Sequence, residues 1–104
     1  MKIVTRETFL TLPAGTVFEI NDYDERLCVI TKGFHEKTVT NCWGTPIACY
    51  PCMEVRDLAD FEEGGRDLRP SSIGEDGVCV YERDDLLQLR DLIDRALNVA
   101  GGSA

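Results

Sequence analysis

The sequence predicts an α+β fold: an antiparallel sheet of three to five short strands packed against a C-terminal helix, preceded by a short N-terminal helix. Three observations lead there. Short runs rich in β-branched residues recur close together in the first half of the chain. Clusters of Gly, Pro, Asn and Asp punctuate them. The last quarter instead carries apolar residues at helical spacing.

At the N-terminus, Thr5 to Leu12 reads as a short helix. Thr5 can cap the free amides of its first turn, Phe9 and Leu12 share a face, and Pro13 stops it. Strands follow at about 17–20 and 27–31, and Lys32-Gly33 reads as the turn that ends the second. A third strand is expected at about 37–42, where β-branched residues alternate. The segment 47–50 could be another strand, but Pro46 and Pro51 bracket it, which favours an edge or a loop.

Met53 to Phe61 has apolar residues at 55, 58 and 59, which suits a two-turn helix ending at Gly64-Gly65. Residues 64–77 hold three turn signatures and are expected to form a long exposed loop. A last strand at about 78–81 leads into a helix over about 84–100. Its Leu86, Leu89, Ile93, Ala96, Leu97 and Ala100 fall on one stripe, and Leu87 falls off it. With 104 residues and no repeat, the chain is expected to be a single domain, 1–104.

Charge narrows the function classes. The net charge is −8, and residues 54–104 hold thirteen acids against six bases, with no lysine. Phosphate binding needs Lys and Arg to displace counterions, so direct nucleic-acid binding is not expected. No apolar run approaches the ~20 residues that cross a bilayer, and no apolar stretch follows the first residues as in a secretory signal. The sequence therefore predicts a cytoplasmic protein that does not bind membranes.

Five cysteines, an odd number in a reducing compartment, point to thiols or a metal rather than a disulfide framework. Cys28 and Cys79 lie in apolar strand-like runs and read as small buried hydrophobes. Cys42, Cys49 and Cys52, with His35 upstream, have metal-ligand spacing: zinc takes four such ligands, and a Cys-x-x-Cys turn presents two thiolates. Only one tight pair is present, so no cofactor is the expectation and zinc the alternative. His35 is the sole histidine, and no phosphate loop, nucleophile elbow or His-Glu-x-x-His occurs. The chain is expected not to be an enzyme, a Cys/His35 activity being a further alternative.

Two acidic clusters remain. Glu54, Asp57, Asp60, Glu62 and Glu63 form the first, and 54, 57 and 60 would line one face of the helix read there. Glu75 and Asp76, followed by Glu82, Asp84 and Asp85, form the second. Ordered carboxylates can occupy a basic groove, or simply solvate a surface. Trp43, the sole tryptophan, sits in a loop by composition and is a natural interface anchor, unless it folds back onto the core. Trp43, Glu54, Asp57, Asp60, Glu62, Glu63, Glu75 and Asp76 are the candidate partner-binding residues.

The run Thr5-Arg6-Glu7-Thr8-Phe9-Leu10-Thr11-Leu12-Pro13-Ala14-Gly15-Thr16-Val17-Phe18 resembles the start of small phage and prophage proteins. Val80-Tyr81-Glu82-Arg83-Asp84-Asp85-Leu86, leading into the amphipathic helix, is similar to their ending. The likeness covers about the first 18 and last 25 residues and not the centre, and it carries no catalytic motif. What it implies is an acidic inhibitor of a host nucleic-acid-handling defence complex, of the anti-CRISPR kind, acting in the host cytoplasm. Its partner would be a protein with a basic surface, such as a CRISPR effector subunit. A small zinc-stabilised structural or adaptor module of phage growth is the alternative.

Overall fold

The computed structural model of the protein describes residues 1–20, 26–59 and 64–102. Its elements are β1 (Lys2–Val4), α1 (Arg6–Phe9), β2 (Val17–Ile20), β3 (Leu27–Thr40), β4 (Pro46–Asp57), β5 (Arg66–Leu68), a 3-10 turn at Pro70–Ser72, β6 (Val78–Val80) and α2 (Arg83–Gly102). The six strands form one open antiparallel sheet in the order β1-β6-β2-β3-β4-β5. The class is α+β, as the sequence predicts.

The period of two along each strand divides the sheet into unlike faces. Register places Val80, Phe18 and Cys28 side by side, with Val4 and Val78 paired one row away. Together with Phe9, Ile30, Met53, Val55, Leu68 and Ile73 these side chains form the buried core. Its cover is short. Phe9 of α1 meets Phe18 edge to face at 4.8 Å, and Ile73 after the 3-10 turn closes the other side. Arg6 ties the two covers together by donating through Nε and Nη2 to the Ile73 carbonyl, at 3.0 and 2.5 Å. Thr5 caps α1 as expected, its Oγ1 accepting from the Thr8 amide at 3.2 Å.

Several expectations need correction. The strands read at 27–31 and 37–42 are one strand of 14 residues, because Lys32-Gly33 is not a turn. Register shifts fall on either side of Lys32, so the irregularity is absorbed as bulging within a continuous strand, a common use of glycine there. The helix expected from Met53 is absent, since β4 runs on to Asp57 and pairs with both β3 and β5. Residues 64–77 are not simply a loop: they hold β5 and the 3-10 turn, and they bury Leu68 and Ile73. The prolines of β4 fit its position. Among the described residues β5 pairs only with 53–55, so no described strand flanks the outer edge of β4 at Pro46 and Pro51, where a missing amide is tolerated.

The helix α2 forms over 83–102, but its packing is partial. Leu86 and Leu89 are half-buried, and Leu89 and Ile93 face Leu27, Leu58 and Ala59 across an open groove. From Arg90 to Gly101 every residue is exposed. The apolar stripe read from the sequence therefore meets the sheet only through its first turns. No described helix is long and apolar enough to cross a membrane.

Candidate protein-binding surface

Past residue 31, β3 and β4 leave the core and continue as a two-stranded arm, and the molecule is correspondingly elongated, 55 × 33 × 24 Å. An isolated ribbon of this kind is marginal in water, so something must brace it. Asp67 on β5 does so. One of its carboxylate oxygens accepts from both Lys37 Nζ on β3 and Tyr50 Oη on β4, each at 2.8 Å. The Arg69 guanidinium lies 4.2 Å from the centroid of the Tyr50 ring. Hydrogen bonds from Lys37, then Tyr50, hold the Asp67 carboxyl below the usual carboxylate range.

At the far end the chain turns through 41–45. The Asn41 side chain organises it, Oδ1 accepting from the amides of Trp43 at 2.9 Å and Thr45 at 3.0 Å. Asn41 N–H donates to the Thr45 carbonyl, and Gly44, at φ +78°, supplies the left-handed residue the turn requires. The result is a fixed backbone carrying a free indole. Trp43 is 85% exposed, and Phe34, Val39 and Ile47 are exposed along the arm behind it. Trp43 does not fold back to cap the core. A rigidly mounted aromatic side chain on a protruding ribbon loses little entropy on docking, which is the property of an interface anchor.

The acidic residues do not converge as a helical face. Glu54 and Asp57 lie on β4, with Glu54 half-buried opposite Lys32 and Asp67. Asp57 is engaged by its surroundings: Arg26 Nη1 and Arg66 Nη2 each reach it at 3.2 Å, and the Cys28 thiol donates to it at 3.0 Å. The Cys28 contact, assisted by the two arginines, holds its carboxyl below the ordinary value. Asp57 is therefore a structural carboxylate rather than a free one. Asp60, Glu62 and Glu63 lie outside the described residues. Glu75 and Asp76 are exposed in the turn before β6, and Glu75 shares a shallow depression with Thr5, Arg6 and Glu7.

The four alternative zinc ligands are spread along the arm. Cys52 is fully buried and pairs in register with His35, whose Nε2 stands 3.9 Å from its sulfur. The other ring nitrogen, Nδ1, is 2.7 Å from the Gly33 carbonyl and so carries the proton. Cys49 is exposed opposite Thr38, and Cys42 is exposed at the tip. The Cys-x-x-Cys segment is strand, not turn, so one thiol is sealed while the other meets solvent. Among the described residues no three His, Cys, Asp or Glu side chains are grouped to hold a metal ion. Burial pushes the Cys52 thiol up, the reverse of what a nucleophile or ligand requires. Cys28 is buried as expected, whereas Cys79 is only half-buried on the other face.

Sequence reading missed Phe34, Val39 and Ile47 as surface residues. Their strand-like context was visible, but nothing local told that the ribbon outruns the core. Fold and site together define a sheet domain with a braced, apolar-tipped arm. The chain matches no protein-family model, no curated protein and no solved structure.

Proposed function

We propose that this chain is a non-enzymatic binding protein that docks on another protein through its β3–β4 arm, with Trp43 as the anchor. The observation that carries the reading is the combination at the tip: an indole 85% exposed, on a backbone pinned by the Asn41 carboxamide. Phe34, Val39 and Ile47 extend the apolar contact along the ribbon. The net charge of −8 favours a partner whose surface around the anchor pocket is basic, because complementary fields speed encounter and exclude acidic competitors.

Inhibition of a host nucleic-acid-handling defence complex, of the anti-CRISPR kind, is the specific case that this charge and the terminal resemblance to phage proteins support. The acidic part of that case now rests on Glu75 and Asp76 rather than Asp57, whose charge Arg26 and Arg66 offset. The test is capture of partners from a bacterial lysate by wild type and by Trp43→Ala. A protein retained by the first and lost with the second supports the reading. Equal capture by both, or a captured partner with an acidic surface, overturns it. For the narrower case, cleavage by a CRISPR effector is measured with and without the protein. Cleavage unchanged at saturating protein removes that effector from consideration.

A further inference from the structure

The outer edge of β3 is open along the arm. Among the described residues β2 pairs with β3 only as far as Val29, and the connection before β2 covers the next positions. Gly15 N–H donates to the Ile30 carbonyl, and the Leu12 carbonyl oxygen stands 3.9 Å from where a Cβ at Gly33 would lie. From Phe34 to Thr40 no described strand flanks this side. We propose that this edge pairs antiparallel with the same edge of a second copy, joining two arms into a four-stranded sheet in the order β4-β3-β3-β4.

Two observations fix which main-chain groups the edge offers. At the tip, Asn41 N–H donates to the Thr45 carbonyl, so residue 41 faces β4. Farther back, Glu36 lies opposite Pro51, which has no N–H to exchange, so Glu36 faces away from β4. Strict alternation between the two agrees, and it turns the N–H and C=O groups of Glu36, Thr38 and Thr40 outward. A two-fold axis at Thr38 sets outward groups against outward groups. Thr38 then opposes Thr38 of the second copy, Glu36 opposes its Thr40, and each such pair exchanges two hydrogen bonds. An axis at Lys37 or Glu36 would oppose like charges directly. An axis at Val39 would leave Glu36 opposite the turn, since β3 ends at Thr40.

Several features single out a second copy as the occupant. The strand it offers ends at Thr40, opposite Glu36, before the covered stretch begins at Gly33, so the two free edges match in length. Residues 33–52 hold one glutamate and one lysine, so the arm is neutral and the −8 lies on the rest of the chain. In this register the two Gly33 positions are about ten residues apart along the sheet, ~33 Å, well beyond the ~10 Å screening length of salt. The acidic bodies thus sit at opposite ends. The edge also lacks the usual guards. Lys37 sends its ammonium across β4 to Asp67, and β3 has no proline, whereas β4 carries Pro46 and Pro51. Finally, from Thr38 to Cys49 every residue except Asn41 is exposed, two strands standing alone, and a third and fourth strand relieve that.

Sedimentation equilibrium and hydrogen exchange on the full chain test this. A few residues of strand make a small interface, so wild type should be a monomer near about 1 µM and have twice the chain mass near about 1 mM. Between those concentrations the Glu36, Thr38 and Thr40 amides, which the single chain leaves free, should slow at least about threefold. Thr38→Pro removes an outward amide that the fold does not use. It should keep the circular dichroism of wild type and raise the dissociation constant at least about tenfold. A wild-type monomer at the higher concentration overturns the proposal. So does a dimer whose three amides exchange as fast as in the monomer, or a folded Thr38→Pro that dimerises like wild type. If the proline unfolds the chain, the exchange of the wild-type amides decides alone. Trp43 is unchanged throughout, so failure here leaves the docking reading standing.

Discussion

Lys37 and Asp67 meet at 2.8 Å across β4, which runs between the strands that carry them. The ion pair therefore spans three strands and fastens the arm to β5, which flanks β4. Replacing Asp67 by Asn should loosen the arm, and acid should do the same to wild type. The carboxyl titrates lower in the folded chain than its unfolded value near 3.9, so the folded state binds fewer protons in between. Its contribution is complete above that value and is lost as pH falls through the folded one. Denaturation of both proteins from pH 7 to pH 2 checks this: the stability gap should hold down to about pH 4 and close below it.

Trp43→Ala should leave stability within about 0.5 kcal/mol of wild type, because the indole touches no core residue. Binding to the partner should weaken by at least about 2 kcal/mol, the range of an interface hot spot. Thermal unfolding and calorimetric titration measure the two separately. Loss of stability together with binding would mean that the side chain supports the fold.

Phe18 lies at the centre of the sheet and is completely buried against Phe9. Phe18→Ala should cost about 3–5 kcal/mol, the range for a truncated core aromatic. Urea denaturation followed by circular dichroism gives the value. The cover over this face is a single helical turn and a 3-10 turn, so it has little to collapse with.

Gly77 precedes β6 at φ +83°, and a Cβ there would press into the Val4 carbonyl oxygen and lie 3.1 Å from Ile3 Cγ2. Both the left-handed backbone and the close approach exclude a side chain. Gly77→Ala should destabilise by at least about 2 kcal/mol and loosen β1 from β6. Gly64→Ala, where nothing lies within 4 Å, is the control. Hydrogen exchange at Ile3 and Val4 reports the strand.

The cysteines should separate by reactivity. Cys42 and Cys49 are exposed and should be alkylated in the folded protein within minutes at pH 8. Cys52 and Cys28 should be protected until the chain unfolds. Burial, with the neighbouring Asp57 carboxylate, pushes Cys28 up to about 11. Mass spectrometry after a short pulse with iodoacetamide distinguishes two fast sites from five equal ones.

How much of this was legible in the sequence depended on whether the signal was local. Thr5 as a cap, β2 and α2 each follow from spacing within a few residues, and the structure has them. The β4 segment failed because Val55, Leu58 and Ala59 suit a helix and a strand alike over so short a run. Pairing with β3 and β5 decided it, and those partners lie more than ten residues away. Gly33 misled in the same way: a glycine marks a turn or a bulge, and only the partner strand says which. At the candidate site Trp43 was visible by type and by its loop. That Asp57 is held by Arg26 and Arg66 was not, since one partner is 31 residues upstream and the other arrives on an unexpected strand.

The order of the strands has a consequence for synthesis. β1 and β2 are neighbours along the chain, yet β6 is inserted between them and hydrogen-bonds to both. Until residue 80 has left the ribosome, β1 has no partner and β2 presents a bare edge with Phe18 uncovered on one flank. A nascent chain halted before that point can form the arm but cannot complete the sheet. The pairing of β1 with the sheet therefore waits on translation of β6, and the edge of β2 is covered at the same point.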